Sequence, residues 1–244
     1  MKFSIIVATY NSEQTISRCL LSLINQTYQD FEIIIFDKLS HDRTSQIVKK
    51  IQRKDNRIKF FSEDDINHYD AFNKAIRVSK GDWIYILGSD DFLTDSNVLK
   101  DVSILLDHKK SYIFYGKVNV IDKDEKSINV VGDVWDKIGN NFFSYMSIPH
   151  QGVFHYKLLF KKYGFFNTSF SYAGDYDLIL RYLKDNKPFF INRIIADYSN
   201  YGGSSLTMNI KKVFFEWRKA QKLNSIPFSF RWMFGLFKFL IIRK

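Results

Sequence analysis

The chain carries one cysteine, Cys19, in 244 residues. A lone thiol excludes a disulfide framework and a cysteine-built zinc site, and it fits a reducing compartment. Three Pro and 11 Gly exclude a collagen-like or low-complexity disordered chain. No uninterrupted apolar run reaches the roughly 20 residues that a membrane-spanning helix needs. The apolar residues 3–8 are cut off by Thr9, Tyr10, Asn11, Ser12 and Glu13, too early for a signal peptide, so the expectation is a cytosolic chain. Also missing are G-x-G-x-x-G and G-x-x-x-x-G-K-[ST], which removes the dinucleotide fingerprint and the Walker loop. What is present suits a globular protein with a sizeable core: 45% hydrophobic residues, 24 Phe and 14 Tyr. The net charge of +10 is unevenly placed. Residues 207–244 hold nine Lys/Arg against a single acid, Glu216, so the 206 residues before them share only two net charges.

Apolar runs and helical spacings alternate through the first half. Residues 3–9 read as a strand, and Ser12 is a candidate N-cap for a helix with Ile16, Cys19, Leu20 and Leu23 inward. Residues 32–37 form a second strand ending in Asp37. Asp42 then caps a helix presenting Ile47, Val48 and Ile51. A third strand over 58–62 and a helix over 70–78 lead to a fourth strand over 83–87, bounded by Gly81 and Gly88. Near-continuous apolar strands alternating with amphipathic helices predict an α/β fold, a mostly parallel central sheet flanked by helices. The polar residues at the strand ends, Thr9, Asn11, Asp37, Glu63, Asp90 and Asp91, are expected on one rim, where open α/β sheets bind ligands. The adjacent carboxylates Asp90 and Asp91 suit a hard divalent cation, although Ser89-Asp90-Asp91 after Gly88 is also good turn chemistry.

The second half changes character. Residues 112–121 and 127–131 read as a hairpin, 151–156 as another strand, and 157–163 as a short helix ended by Gly164. Asp175 stands at the start of a helix on which Asp177 and Arg181 are an i,i+4 pair. Residues 189–198 are a last strand, and Gly202 to Ser205 a loop.

These blocks resemble family 2 glycosyltransferases, which have the GT-A nucleotide-sugar fold. The resemblance rests on Ser4-Ile5-Ile6-Val7-Ala8-Thr9-Tyr10-Asn11, on Asn25-Gln26-Thr27-Tyr28 with Phe31-Glu32-Ile33, and on Asp37, Ser40, Asp42 and Thr44 in D-x-x-S-x-D-x-T. Tyr69-Asp70-Ala71-Phe72-Asn73-Lys74-Ala75, Gly81-Asp82 through Ser89-Asp90-Asp91, and Gly174-Asp175-Tyr176-Asp177-Leu178 with Arg181 complete it. Six blocks in order cover about residues 3–205. The chain departs from the pattern at Lys38 and Leu39, where many members have Gly or Asp, at Asn67-His68, and at Gly174, where Glu is frequent.

The resemblance implies an inverting transferase that moves a sugar from a nucleotide diphosphate sugar, a UDP-sugar in particular, to a hydroxyl of a glycan or lipid-linked acceptor in cell-surface polysaccharide biosynthesis. It implies Asp175 as catalytic base, Asp91 as ligand of a divalent cation (Mn²⁺ or Mg²⁺), and Asp90 near the ribose or sugar. Thr9, Asn11, Asp37, Glu63 and Asn73 fall on the nucleotide-sugar side, and His150, Gln151, Asp177 and Arg181 are candidates for the acceptor side. The structural alternatives are a helix cap for Asp175, a turn Asp for Asp37, a solvated loop for Glu63, a structural histidine for His150 and a structural ion pair for Asp177 and Arg181.

The expected organisation is a GT-A domain over 1–206, with a nucleotide-binding half (1–93) and an acceptor half (94–206), then a basic, aromatic helical tail over 207–244. Residues 208–223 read as a basic amphipathic helix, and 226–242 as an interfacial segment rich in Phe, Trp and Leu. Basic residues beside apolar ones suit an anionic membrane surface, hence a protein peripheral to the inner face of the cell membrane; the alternatives are packing on the domain or on a second copy in a homodimer. Two other function classes stay open. A sugar-nucleotide nucleotidyltransferase would share the sheet and acids, but a Gly-rich basic N-terminal loop is lacking. A non-enzymatic basic nucleic-acid- or membrane-binding protein would account for the charge, but the near-neutral domain argues against nucleic acid.

Overall fold

The computed structural model describes residues 1–201, 209–228, 230 and 232. The first half is four parallel strands with helices between them. β1 (Phe3–Thr9), α1 (Ile16–Ile24), β2 (Phe31–Asp37), α2 (Thr44–Gln52), β3 (Ile58–Ser62), α3 (His68–Val78) and β4 (Trp83–Ile86) follow the alternation of the sequence. β1 and β2 are buried along nearly their whole length, which is why they read as continuous apolar runs rather than alternating ones. The next elements are β5 (Phe92–Leu93), α4 (Val98–Leu105), β6 (Ile113–Ile121), β7 (Ser127–Val131) and α5 (Trp135–Phe142). A 3-10 turn (His150–Gly152), β8 (Val153–Tyr156), α6 (Leu158–Tyr163), α7 (Gly174–Leu183), β9 (Phe189–Ser199) and α8 (Ile210–Leu223) complete the order.

One nine-stranded sheet runs β3-β2-β1-β4-β8-β6-β9-β5, with β7 on β6. The pairs among β1 to β4 are parallel, as is β6 with β9, and the antiparallel pairs all involve strands of the second half. Two apolar clusters cover the two faces. One gathers α3, α6 and α7 through Ala71, Ala75, Leu159, Tyr176 and Ile179. The other gathers α1, α2 and α4 through Cys19, Leu20, Leu23, Val48, Leu99 and Val102. Burying Cys19 pushes its thiol far above the ordinary range, so it is a core side chain and not a nucleophile.

Two local expectations are corrected. Ser12 does not cap α1 with its side chain: its carbonyl accepts the Thr15 and Ile16 amides, and its hydroxyl meets that of Ser89 at 2.9 Å. Residues 151–152 belong to the 3-10 turn rather than to a strand. For the basic amphipathic helix, the alternative of packing on the domain holds over the described residues. α8 packs against α7, with Val213, Phe214, Glu216, Ala220 and Gln221 buried. Loop 202–205 and, apart from 226–228, 230 and 232, the segment 226–242 lie outside the described residues.

Candidate active site

Register places the polar strand ends side by side. Thr9 pairs with Asp37 and Asp37 with Ser62, so the ends of β1, β2 and β3 form one polar row on the sheet rim. Asp37 is buried and surrounded by donors: the Ser40 amide (3.0 Å), the Ser40 hydroxyl (2.5 Å), and the Ser62 (3.0 Å) and Ser45 (3.3 Å) hydroxyls. Ser40 also accepts the Asn11 amide at 2.8 Å, and the Asn11 side chain accepts the His41 amide at 3.0 Å. Asn11 adopts a left-handed backbone (φ 48°), a conformation Asn tolerates, and so ties the turn after β1 to the loop after β2. The Thr9 hydroxyl is buried without a hydrogen-bond partner. Glu63 is mostly exposed and pairs with Lys74 at 3.2 Å.

The acid pair follows β4. Asp91 is buried and accepts the Ser199 amide at 2.9 Å. Gly88 makes room for the pair: a Cβ there would stand 2.6 Å from Asp91 Oδ2 and 2.9 Å from Asp90 Oδ1. Burial, and then the Asp90 charge, push the Asp91 carboxyl well above the usual carboxylate range, against the Ser199 amide, the Gln151 side chain and the Arg18 charge. Burial also pushes Asp90 up, Arg18 opposing. Arg18 is the cation of this corner, but its guanidinium is committed to the Asp90 carbonyl (2.7 Å), Ser199 (3.0 Å), Tyr201 (3.0 Å) and Glu125 (2.5 Å). Two adjoining acids, Asp91 buried and Asp90 half-buried, short of positive charge are a donor set that suits a hard divalent cation completed by phosphate oxygens and water. Among the described residues no cluster of three or more acids, histidines and cysteines forms a closed metal cage.

Asp90 and Asp91 share one cavity, of about 620 Å³, with Asp175, His150 and Gln151. Its other walls include His68, Tyr69, Phe72, Ser171, Tyr172 and Tyr198, together with Val213 and Trp217 of α8. Asp175 lies in the first turn of α7, whose N-cap Ala173 makes no side-chain cap, and the Tyr69 hydroxyl donates to it at 3.3 Å. The sequence showed no sign of that contact, nor of α8 walling the cavity. Gly174 has a local reason: a Cβ there would stand 2.8 Å from the buried Tyr69 ring. His150 is held neutral by burial, Asp175 opposing.

Asn73, Asp177 and Arg181 stand outside this cavity, as do Thr9, Asn11, Asp37 and Glu63 of the strand-end row. The Asn73 amide group is used up on Phe166, donating to its carbonyl (2.9 Å) and accepting its amide (3.0 Å). Asp177 pairs with Arg181 at 3.1 Å and accepts the Asn224 amide at 2.9 Å. Arg181 donates to the carbonyls of Tyr163 and Phe165. These three hold backbone and side chains together, which for Asp177 and Arg181 is the structural ion pair that the sequence offered as the alternative.

A parallel sheet with a polar rim, an acid pair at a strand end and a carboxylate in the same cavity defines a GT-A-type sugar-transfer site. The profile of glycosyl transferase family 2 matches residues 4–170, and the chain belongs to that family of glycosyltransferases. It is 29% identical over 213 residues to a PGL/p-HBAD biosynthesis glycosyltransferase of Mycobacterium tuberculosis, covering 84% of this chain and 80% of the relative. It is 25% identical over 272 residues to a dolichyl N-acetyl-alpha-D-glucosaminyl phosphate 3-beta-D-2,3-diacetamido-2,3-dideoxy-beta-D-glucuronosyltransferase of Methanococcus voltae, covering 98% and 79%. The fold matches S. aureus TarS 1-349 in complex with UDP-GlcNAc, with TM-score 0.74 and 20% identity over 92% of this chain and 66% of the other. It also matches the mannosyltransferase PcManGT of Pyrobaculum calidifontis in complex with GDP-Man and Mn²⁺, with TM-score 0.63 and 16% identity over 80% and 56%. The chain spans 37% of a longer TarS chain that it also matches.

Proposed function

We propose that this chain transfers a sugar, with inversion, from a UDP-sugar to a hydroxyl of a glycan or lipid-linked acceptor in cell-surface polysaccharide or glycolipid biosynthesis. The observation that carries the proposal is a single cavity lined by both the acid pair Asp90–Asp91 and the lone carboxylate Asp175. The nucleotide half lies on the row Thr9, Asn11 and Asp37. Asp37 accepts from the base while the Ser40, Ser45 and Ser62 donors hold its carboxylate in place. The orphaned Thr9 hydroxyl is a further donor for the nucleotide, and Glu63 stands at the edge of this half.

Asp91, with Asp90 beside it, would hold Mn²⁺ or Mg²⁺ against the donor's diphosphate. A cation bound there supplies Lewis-acid neutralisation of the departing diphosphate. Asp175 takes the proton of the acceptor hydroxyl as its oxygen bonds to the anomeric carbon and the carbon–oxygen bond to the diphosphate breaks on the opposite side. One displacement gives inversion. General-base help of this kind is typically worth about 10²–10⁴-fold. Gln151, whose side chain hydrogen-bonds Asp91, and His150 line the same cavity and are candidates to meet the acceptor. The acceptor enters over Tyr145, Tyr172, Val213 and Trp217, an aromatic wall suited to a sugar ring or an isoprenoid stem.

The outer face of α8 presents Lys211, Phe215 and Leu223 to solvent. Cationic and apolar groups together suit the anionic inner face of a cell membrane, which would bring a lipid-linked acceptor beside Asp175. No helix of the described residues is long and apolar enough to cross a membrane.

The test is a thermal-shift panel of nucleotide sugars with and without Mn²⁺ or Mg²⁺, run on wild type and on Asp175→Asn. A cation-dependent rise in Tm with a UDP-sugar, retained in Asp175→Asn while turnover falls about 10²–10⁴-fold, is the expected result. Wild-type turnover in Asp175→Asn removes it as base. No shift with any nucleotide sugar removes the donor class.

A further inference from the structure

We infer that Glu216 is a positioning residue for Asp175, and that α8, at the far end of the chain, is a working part of the catalytic site. The inference rests on the reading of Asp175 as general base. Glu216 is the one acid in the last 38 residues, amid nine Lys and Arg, yet it points inward and is buried. Among the described residues no lysine or arginine forms an ion pair with it. Its carboxylate instead accepts three consecutive backbone amides: Ser171 (3.0 Å to each oxygen), Tyr172 (2.7 Å) and Ala173 (3.1 Å). Successive amides converging on one anion form a nest, a strong and geometrically demanding way to hold backbone.

The place of the nest gives it a role in the reaction. Ser171 and Tyr172 line the catalytic cavity themselves, and Ala173 is the N-cap of α7, two residues before Asp175. Ala173 has no side chain with which to cap the helix, and the segment 164–173 has no helix or strand of its own. The position of the base therefore depends on groups outside α7. Glu216 fixes the amide side of the approach. Two lysines of the same helix fix its hydroxyls, Lys212 on Ser171 (2.8 Å) and Lys219 on Ser169 (3.0 Å).

α8 is itself held in register by polar contacts deeper in the interface. Gln221 donates to the Ser144 carbonyl at 2.9 Å and the Tyr176 hydroxyl at 3.2 Å, and Asn224 donates to Asp177 at 2.9 Å. A helix docked only by apolar contacts could slide. One docked by Glu216, Gln221 and Asn224 delivers the carboxylate to one place. Removing it leaves three amide donors without their acceptor, and the loop must move to find water or other partners. Displacement of a reacting group by about 1 Å costs on the order of 10²-fold in rate. A nest that shapes the base loop should thus act on turnover and leave the donor half, which lies on β1, β2 and β4, untouched.

The test compares Glu216→Gln and Glu216→Asp with wild type and Asp175→Asn, by two readouts. The first is amide hydrogen exchange of the substrate-free protein. In Glu216→Gln, peptides covering 167–178 should lose protection while those covering β1, β2 and β4 keep it. The second is turnover of the UDP-sugar selected by the thermal-shift panel. Glu216→Gln should lower kcat about 10- to 100-fold with the donor KM within about twofold, and Glu216→Asp, which keeps the charge but reaches less far, should fall between. Unchanged exchange over 167–178 overturns the inference, as does wild-type kcat in Glu216→Gln. Exchange that rises uniformly across the sheet also overturns it, because it reports a merely structural helix. Wild-type turnover in Asp175→Asn is the separate failure of the base assignment.

Discussion

Gly88→Ala is the sharpest probe of the acid pair, because it adds a single methyl group at a position where the structure has no room. The new Cβ would lie 2.6 Å from Asp91 Oδ2, 2.9 Å from Asp90 Oδ1 and 3.2 Å from Asp91 Cγ. An ordinary contact needs about 3.5 Å, so one carboxylate must retreat by about 0.5–1 Å. Asp91 has no easy retreat, being buried and tied to the Ser199 amide, while the Gly88 carbonyl accepts the Asp91 amide at 3.1 Å and Cys19 Sγ at 3.4 Å. Overpacking of this size costs about 1–3 kcal/mol. At about 2–4 °C per kcal/mol for a domain of this size, Tm should fall by roughly 2–12 °C with the fold intact. The functional effect should be larger in kind: the donor set is displaced from the cavity, so the cation-dependent part of the donor's thermal shift should vanish while circular dichroism stays native. Titration calorimetry of Mn²⁺ with UDP-sugar checks this directly. A Gly88→Ala protein that binds donor and cation with wild-type affinity would refute the assignment of the pair as diphosphate–cation site.

Gly174→Ala places a methyl 2.8 Å from the buried Tyr69 ring, which stacks on Phe166 and cannot swing aside. It should lower kcat by about tenfold or more without weakening donor binding, since near-attack geometry at Asp175 is lost, and steady-state kinetics separate the two. Leu39 holds a left-handed backbone (φ 49°) that costs a non-glycine residue about 1–2 kcal/mol. Leu39→Gly should therefore raise Tm by about 1–4 °C after the entropy of the unfolded chain is allowed for, as calorimetry would read. His155 is wholly buried, with neither ring nitrogen hydrogen-bonded among the described residues, and burial, then His150, hold its pKa well below the ordinary value. The unfolded chain binds a proton that the native one refuses, so stability is full above about pH 6.5 and falls as pH drops below it. His155→Leu should raise Tm and flatten that slope in melts from pH 7.5 to 5. An unchanged slope assigns the acid sensitivity elsewhere.

The parallel half was legible because each of its elements obeys one period. Strands β1 and β2 are apolar on both faces because both faces are covered, and α1 keeps Ile16, Cys19, Leu20 and Leu23 on one side. Their register then brings Thr9 beside Asp37 without further information. Other elements left no such trace. β5 is two residues long, and α5 is only eight residues with Gly139 packed under the Trp135 ring, too short to stand out although Trp135, Ile138 and Phe142 recur at helical spacing. α8 was visible as an amphipathic helix, but its charge pointed to a surface, and nothing in the sequence said that Glu216 and Trp217 turn inward. The buried polar face of a helix counts as hydrophilic in any periodicity argument, so the partner of such a face is invisible until the fold supplies it.

Several polar side chains near Asp175 share a physical role. Asn73 and Arg181 stand in blocks that resemble the family's site motifs, and both act on the irregular segment that carries the chain from α6 to α7. Arg181 takes the carbonyls of Tyr163 and Phe165, Asn73 both backbone groups of Phe166, and Asn67 the carbonyls of Thr168 (2.8 Å) and Phe170 (3.1 Å). Glu216 takes the amides of Ser171, Tyr172 and Ala173. A segment without helix or strand must find other partners for its backbone, and a buried one must find them on side chains. The acid pair, in the turn after β4, has anchors of its own in the Ser199 amide on Asp91 and the Arg18 guanidinium on the Asp90 carbonyl. Asp175 depends on the support of that irregular segment, since α7 begins only at Gly174 and residues 164–173 before it form neither helix nor strand. On the proposed reading of Asp175 as base, residues that resemble catalytic ones in sequence act one step removed from the reaction. They fix the backbone that fixes Asp175, and substitution at any of them should act on turnover before donor binding.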